Sequence, residues 1–321
     1  PPGAARAMSL AASLRQLFPD VEPIAQDDGP EAVVRIEYPE GFQTVMDYFR
    51  RILVDGEYSE RALLLSGEVI ARNAANYTAW QFRRKCIEEL YKDSPAEDAK
   101  AAWKDELDYC TARGHENLKN YQVWFHRRSC VSKLGDGSCE LPFTEEILRE
   151  DSKNYHAWGY RQWVLTEFGS WDGELEFTER LLQEDVRNNS AWNQRYFVLK
   201  STADLSSPEL LEQEVAFIKK HIDLSPSNPS PWNYLRGLLE PVGYDTIPHV
   251  RTMCEEWATT ESENGYNSGC VMAMGLLVEV LLASGATNEL ERARELCVTL
   301  QGLDPIRAAY WNWRHSRIGT Q

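Results

Sequence analysis

The sequence predicts an all-α fold, a right-handed α-α superhelix of about seven helical hairpins, and three observations carry that expectation. Asn precedes Trp by four residues five times, at Asn76/Trp80, Asn120/Trp124, Asn154/Trp158, Asn188/Trp192 and Asn228/Trp232. The Trp spacings of 44, 34, 34 and 40 residues suit a repeat built from one pair of helices. Between the Trp segments lie second amphipathic stretches, such as Ala99, Trp103, Leu107 and Cys110, or Leu211, Val215, Ile218 and Ile222. Their offsets keep one apolar face on a helix. Each such hairpin buries its face only against its neighbours.

Residues 1–40 are expected to form an N-terminal extended arm and residues 41–321 the hairpin solenoid. Residues 1–7 precede Met8 and are set aside from the fold argument. Pro, Gly and acidic residues predominate from 18 to 42, and the alternating piece at 33–38 suits either an extended segment laid against a partner or an ordered, passive arm. Helical spacing begins at Gly41 with Val45, Tyr48, Phe49 and Ile52, and Ser59 opens a second segment with Leu63, Leu64 and Ile70. In each motif copy Asn is the N-cap and Trp a packing residue of the first turn. Tyr121, Trp124 and Arg128 fall within about 60° of arc, so Arg128 is placed beside an aromatic stripe. Residues 135–138, 169–173 and 206–208 supply Gly, Ser and Pro turns. Trp311 follows Trp232 by 79 residues, about two periods. A degenerate repeat is expected in that gap, with 271–282 as its first helix and 289–300 as its second. The uneven period and the motif order exclude a tetratricopeptide array.

Composition bounds the function. The 321 residues are 43% hydrophobic and 26% charged, with a formal net charge of −16. A chain this acidic lacks the basic face of a nucleic-acid binder and suits partners with basic segments. Seven cysteines without a C-x-x-C pair fit reduced thiols of a cytoplasmic protein. The six His form no metal-binding pattern, so no metal ligand is assigned to this chain. The longest apolar run, at 271–282, contains Glu279 and is too short for the roughly 20 residues of a bilayer span, so no transmembrane segment is expected. No P-loop, dinucleotide fingerprint or G-x-S-x-G occurs.

The copies differ at the residue before the capping Asn: Ala75, Lys119, Lys153, Arg187 and Ser227. Cations at the starts of three neighbouring helices, added to the helix N-termini, make an edge suited to a phosphate group. Tyr121 and Tyr155 add hydroxyls at the same level. The competing reading is solvated turn lysines beside packing tyrosines.

The residues themselves resemble a family. The segments N-Y-T-A-W-Q-F-R-R, K-N-Y-Q-V-W-F-H-R-R, K-N-Y-H-A-W-G-Y-R-Q-W and R-N-N-S-A-W-N-Q-R, with V-M-D-Y-F-R-R before them, are similar to the α subunits shared by protein farnesyltransferase and geranylgeranyltransferase type I. The resemblance runs from about residue 23 to 311 and weakens after Glu240. It implies a heterodimer in which this chain wraps a β subunit, an α-α barrel that holds the catalytic zinc; whether magnesium also assists is left open by the sequence. The implied reaction joins farnesyl or geranylgeranyl, from its diphosphate, to the cysteine of a C-terminal CaaX sequence. By match to the motif, Lys119, Tyr121 and Tyr155 are the implied catalytic residues at the diphosphate. His156 is assigned to the same region and Gln122 to the peptide carboxylate. Lys153 and Arg187 receive no family role. The alternatives are the α subunit of a Rab-type geranylgeranyltransferase and a non-catalytic helical scaffold.

Overall fold

The structure is a computed structural model that describes residues 10–34, 36–116, 118–259 and 269–319. Residues 1–7, and Arg35 within the alternating piece, lie outside the described residues. Among those described there are sixteen α-helices and no strand. Two compact units divide at Phe168 and Gly169.

In the first unit α1 (Leu10–Leu17) precedes α2 (Glu40–Asp55). Three hairpins follow: α3 (Glu60–Arg72) with α4 (Tyr77–Leu90), α5 (Ala96–Glu116) with α6 (Tyr121–Leu134), and α7 (Glu140–Glu150) with α8 (Tyr155–Phe168). The second unit has four: α9 (Glu174–Glu184) with α10 (Asn189–Thr202), α11 (Pro208–Leu224) with α12 (Pro229–Leu239), α13 (Pro248–Ala258) with α14 (Val271–Ser284), and α15 (Thr287–Leu303) with α16 (Ala308–Arg317). The hairpin number therefore agrees with the expected seven.

All five Asn act as caps. Asn120 Oδ1 accepts from the Gln122 N–H at 2.9 Å, Asn154 Oδ1 from His156 and Ala157, and Asn76, Asn188 and Asn228 do the same at α4, α10 and α12. The five motif Trp are buried, and each indole N–H donates to the carbonyl six residues earlier: Ala74, Leu118, Ser152, Val186 and Pro226. One Trp thus fills the core and closes the turn that leads into its helix, using the polar handle that a buried indole must satisfy.

The motif arginine that packs inward is Arg127, not Arg128. Arg127 is 4% exposed, and its guanidinium grips Glu140 of the next hairpin at 2.6 and 2.8 Å while lying 3.4 Å from the Phe143 ring centroid. Tyr160 donates to the same carboxylate at 2.6 Å. Arg83, Glu106 and His126 repeat the pattern in the first unit, as do Arg195, Glu214 and Tyr234 in the second. The Arg stands three residues after Trp, and its acidic partner opens or lines the first arm of the following hairpin. Arg128 is exposed, with its guanidinium 4.8 Å from the Trp163 ring. Tyr121, on the same expected stripe, is 66% exposed.

Three further expectations are corrected. The arm is not wholly extended, because Leu10, Leu14 and Leu17 recur at helix spacing and α1 buries Leu14 with Phe18 behind it. Leu64 faces solvent, and Ala62, Leu65 and Val69 are buried in its place. The gap before Trp311 holds α13 as well as α14 and α15, so the apolar α14 is the second arm of its hairpin and α15 the first arm of the next. Within the described part of 33–38, Val33, Val34 and Ile36 are exposed outside any helix, as either reading of that piece allows.

Candidate functional site

Lys119 sits in the turn before α6, and the next hairpin grips that turn at several points. The Leu118 carbonyl accepts from Trp124 Nε1 at 2.9 Å and from Asn154 Nδ2 at 3.2 Å. Asn154 therefore caps α8 with its oxygen and braces the α6 turn with its amide. The Asp151 carboxylate lies 3.5 Å from Lys119 Nζ. His156, on the first turn of α8, meets the Tyr121 ring edge-on at 4.2 Å and stacks at 6.5 Å over Trp124. Tyr155 meets the same imidazole edge-on at 5.6 Å.

The structure thus brings together four of the five residues singled out in the sequence, Lys119, Tyr121, Tyr155 and His156. Gln122 follows Tyr121 on the first turn of α6 and is half-buried. Three of the group face outward: the Lys119 side chain is 80% exposed, and Tyr121 and Tyr155 are 66% and 76% exposed. Tyrosines left in solvent at the start of a packed helix contribute little to the core, and with a lysine they present two hydroxyls and an ammonium at two helix N-termini. Such an arrangement has the chemistry to bind an anion and to stabilise negative charge that develops beside it. Burial holds the His156 imidazole below its ordinary range, with the Lys119 main chain acting the other way. A neutral ring suits its place between two tyrosines and a tryptophan.

Lys153 is exposed at the start of α8, in the same unit. Arg187, before α10 in the second unit, turns its guanidinium to Ser225 Oγ at 3.3 Å. Asp151 was missed as a site neighbour, since its sequence signal is that of a turn residue. None of the five site residues lines the groove of about 490 Å³ between α10 and α12, which carries Trp192, Asn193, Tyr196 and Asn233.

Among the described residues no three His, Cys, Asp or Glu side chains converge as a metal site. All seven cysteines are free, and burial pushes Cys86, Cys110 and Cys254 up to about 12, far from a reactive thiolate. No helix among the described residues is long and apolar enough to cross a membrane.

The protein prenyltransferase alpha subunit repeat matches residues 59–90, 103–134, 138–168, 171–202 and 211–240, which are the first five hairpins. The chain is 41% identical to the protein farnesyltransferase/geranylgeranyltransferase type-1 subunit alpha of Solanum lycopersicum, over 94% of this chain and 89% of that protein. It is 38% identical to the subunit of the same name from Dictyostelium discoideum, over 96% and 94%. Among solved structures, Candida albicans protein geranylgeranyltransferase-I complexed with GGPP is similar with a TM-score of 0.80 at 27% identity, over 94% of this chain and 98% of that one. The all-α superhelix expected from the repeats is the fold class these likenesses carry.

Proposed function

The chain belongs to the family of protein farnesyltransferase/geranylgeranyltransferase type-1 alpha subunits, and from that premise we propose that it is the α subunit of a heterodimeric CaaX prenyltransferase of the cytoplasm. The observation that supports this most is the braced turn at 118–121, which sets Lys119, Tyr121, Tyr155 and His156 at the adjoining starts of α6 and α8.

In the transfer, the substrate cysteine sulfur bonds to carbon 1 of the isoprenoid. The bond from that carbon to the diphosphate oxygen breaks, and the diphosphate leaves with the electron pair while the thiol proton is released. This chain's own residues act on the leaving side. Lys119 places an ammonium where the leaving oxygen gains charge, and the N-terminus of α6 adds its field in the same direction. Tyr121 and Tyr155 supply hydroxyl donors, and His156 keeps their rings in place. Gln122, a neutral amide, suits the carboxylate at the end of the CaaX peptide. The β subunit is proposed to hold the zinc, which favours the thiolate form of the substrate cysteine, along with most of the isoprenoid pocket. Either farnesyl or geranylgeranyl diphosphate fits the contacts argued for this chain.

The test is reconstitution. The isolated chain is expected to transfer no prenyl group, and activity on a CaaX peptide is expected once a farnesyltransferase or geranylgeranyltransferase β subunit is co-expressed. Turnover by the isolated chain, or a chain that pairs with the β subunit and stays inactive, contradicts the proposal. The Rab-type reading predicts pairing with a different β subunit and no use of a CaaX peptide.

A further inference from the structure

A lysine that stabilises a leaving group needs its charge at one place, yet Lys119 has a long stem and an 80% exposed side chain. Left to itself such a side chain spreads over many rotamers. Asp151 stands against that freedom, with Oδ2 3.5 Å from Lys119 Nζ. The carboxylate is itself fixed. Its Oδ1 accepts from the Lys153 N–H at 3.3 Å, its own N–H bonds the Ile147 carbonyl at 3.0 Å, and its carbonyl accepts from the Asn154 N–H at 3.0 Å.

The turn does not require the charge. Asn73 makes the same turn before α4, taking the Ala75 N–H on its amide oxygen at 3.1 Å, and Asp185 does so before α10 at 2.9 Å. An amide oxygen is enough to form this bend. At position 151 the second oxygen has a separate use, because it faces the lysine of the preceding hairpin.

We propose that Asp151 is a positioning residue for prenyl transfer: its turn-locked carboxylate holds the Lys119 ammonium over the start of α6. This rests on the reading that Lys119 meets the diphosphate. The carboxylate has two effects of opposite sign on the reaction. It repels the bound diphosphate, and it restricts the ammonium to the place where the leaving charge forms. Removing it therefore slows the chemical step without weakening diphosphate binding, a split that loss of folding does not produce.

The experiment is a double-mutant cycle in the assembled heterodimer, with Asp151→Asn, Lys119→Ala and both together. Asparagine keeps the turn, as Asn73 shows, and removes only the charge. Single-turnover transfer with both substrates saturating is expected to fall roughly 2–5-fold in Asp151→Asn, the scale of an exposed ion pair. The Kd for farnesyl and geranylgeranyl diphosphate is expected to stay equal or tighten. In the Lys119→Ala background, Asp151→Asn is expected to change the rate no further, because the residue acts only through the lysine. Wild-type rates in Asp151→Asn, additive losses in the double variant, or a parallel loss of rate, affinity and melting temperature each overturn the proposal. A wild-type rate in Lys119→Ala instead overturns the reading beneath it, and the proposal with it.

Discussion

The turns that lead into α6 and α12 are built alike and differ in what they display. In both, an Asn caps the helix, through the Gln122 N–H at 2.9 Å or the Ser230 N–H at 3.2 Å. In both, the indole of a buried Trp closes the turn, on the Leu118 carbonyl at 2.9 Å or the Pro226 carbonyl at 2.8 Å. The brace from the next hairpin differs: Asn154 reaches the Leu118 carbonyl with its amide, whereas the Pro226 carbonyl accepts from Cys270 Sγ at 3.1 Å. Where the first turn shows Lys119 and Tyr121, the second has Ser227 and Pro229. Proline at the first helical position has no N–H to present to an anion and no hydroxyl. The difference teaches that the Asn and Trp frame serves the folding of each of the first five hairpins. The proposed chemistry is carried by positions flanking the cap that the frame leaves open.

The frame and the displayed residues should then respond to different measurements. The largest expected effect is on the frame. Glu140→Ala strands the buried Arg127 guanidinium and the Tyr160 hydroxyl, and it should cost about 3–5 kcal/mol of unfolding free energy, read as a lowered urea midpoint. Lys119→Ala and Lys153→Ala, both at exposed turn positions, should move that midpoint little. A small effect of Glu140→Ala would break the division between frame and display.

A smaller effect is expected on the display side. Gln122→Ala in the heterodimer should raise the peptide KM about 10-fold, the scale of one hydrogen bond to a charged group, with the diphosphate Kd unchanged. An unchanged peptide KM beside a weakened diphosphate Kd would assign Gln122 to the other substrate.

The smallest concerns a frame contact that varies among copies. Two residues after Trp stand His126, Tyr160, Gln194 and Tyr234, each bonded to a buried glutamate. Burial holds His126 below its usual range, against the pull of Glu106. Its Nδ1 faces the Arg84 guanidinium at 3.2 Å, so that nitrogen accepts and the ring is neutral. A histidine with a depressed folded pKa binds its proton more readily unfolded. Its contribution is present above the ordinary value of 6.5 and is lost as pH falls below it. His126→Gln, which copies Gln194, should flatten the fall in stability between about pH 7 and pH 5. A slope equal to that of the wild-type chain would mean that His126 protonates alike in both states.

Much of the fold was legible because Asn and Trp recur at a period, and their roles as cap and core follow from residue chemistry. The buried ion pairs were not, since a charged residue on an amphipathic helix reads as solvent-facing. The available signal was Arg three residues after Trp, at Arg83, Arg127, Arg161 and Arg195. Helix α13 was passed over because its motif spacing is lost where the Trp period breaks. In the site, Lys119 stood out as a difference among otherwise similar copies, and Tyr121 and Tyr155 stood beside caps. Asp151 did not stand out. A turn-forming Asp explains itself locally, and its contact to a lysine on the preceding hairpin has no periodic mark.

The central claim is that Lys119 stabilises the departing diphosphate, and the most direct measurement is a rapid-quench single turnover of the assembled heterodimer with both substrates saturating. Lys119→Ala should slow transfer by roughly 10² or more, the typical loss for one donor at a developing negative charge. Diphosphate binding should fall much less, and Lys153→Ala, at the equivalent place on the next hairpin, should be milder. Equal single-turnover rates for the wild-type heterodimer and Lys119→Ala would contradict the account and leave the braced turn a structural feature alone.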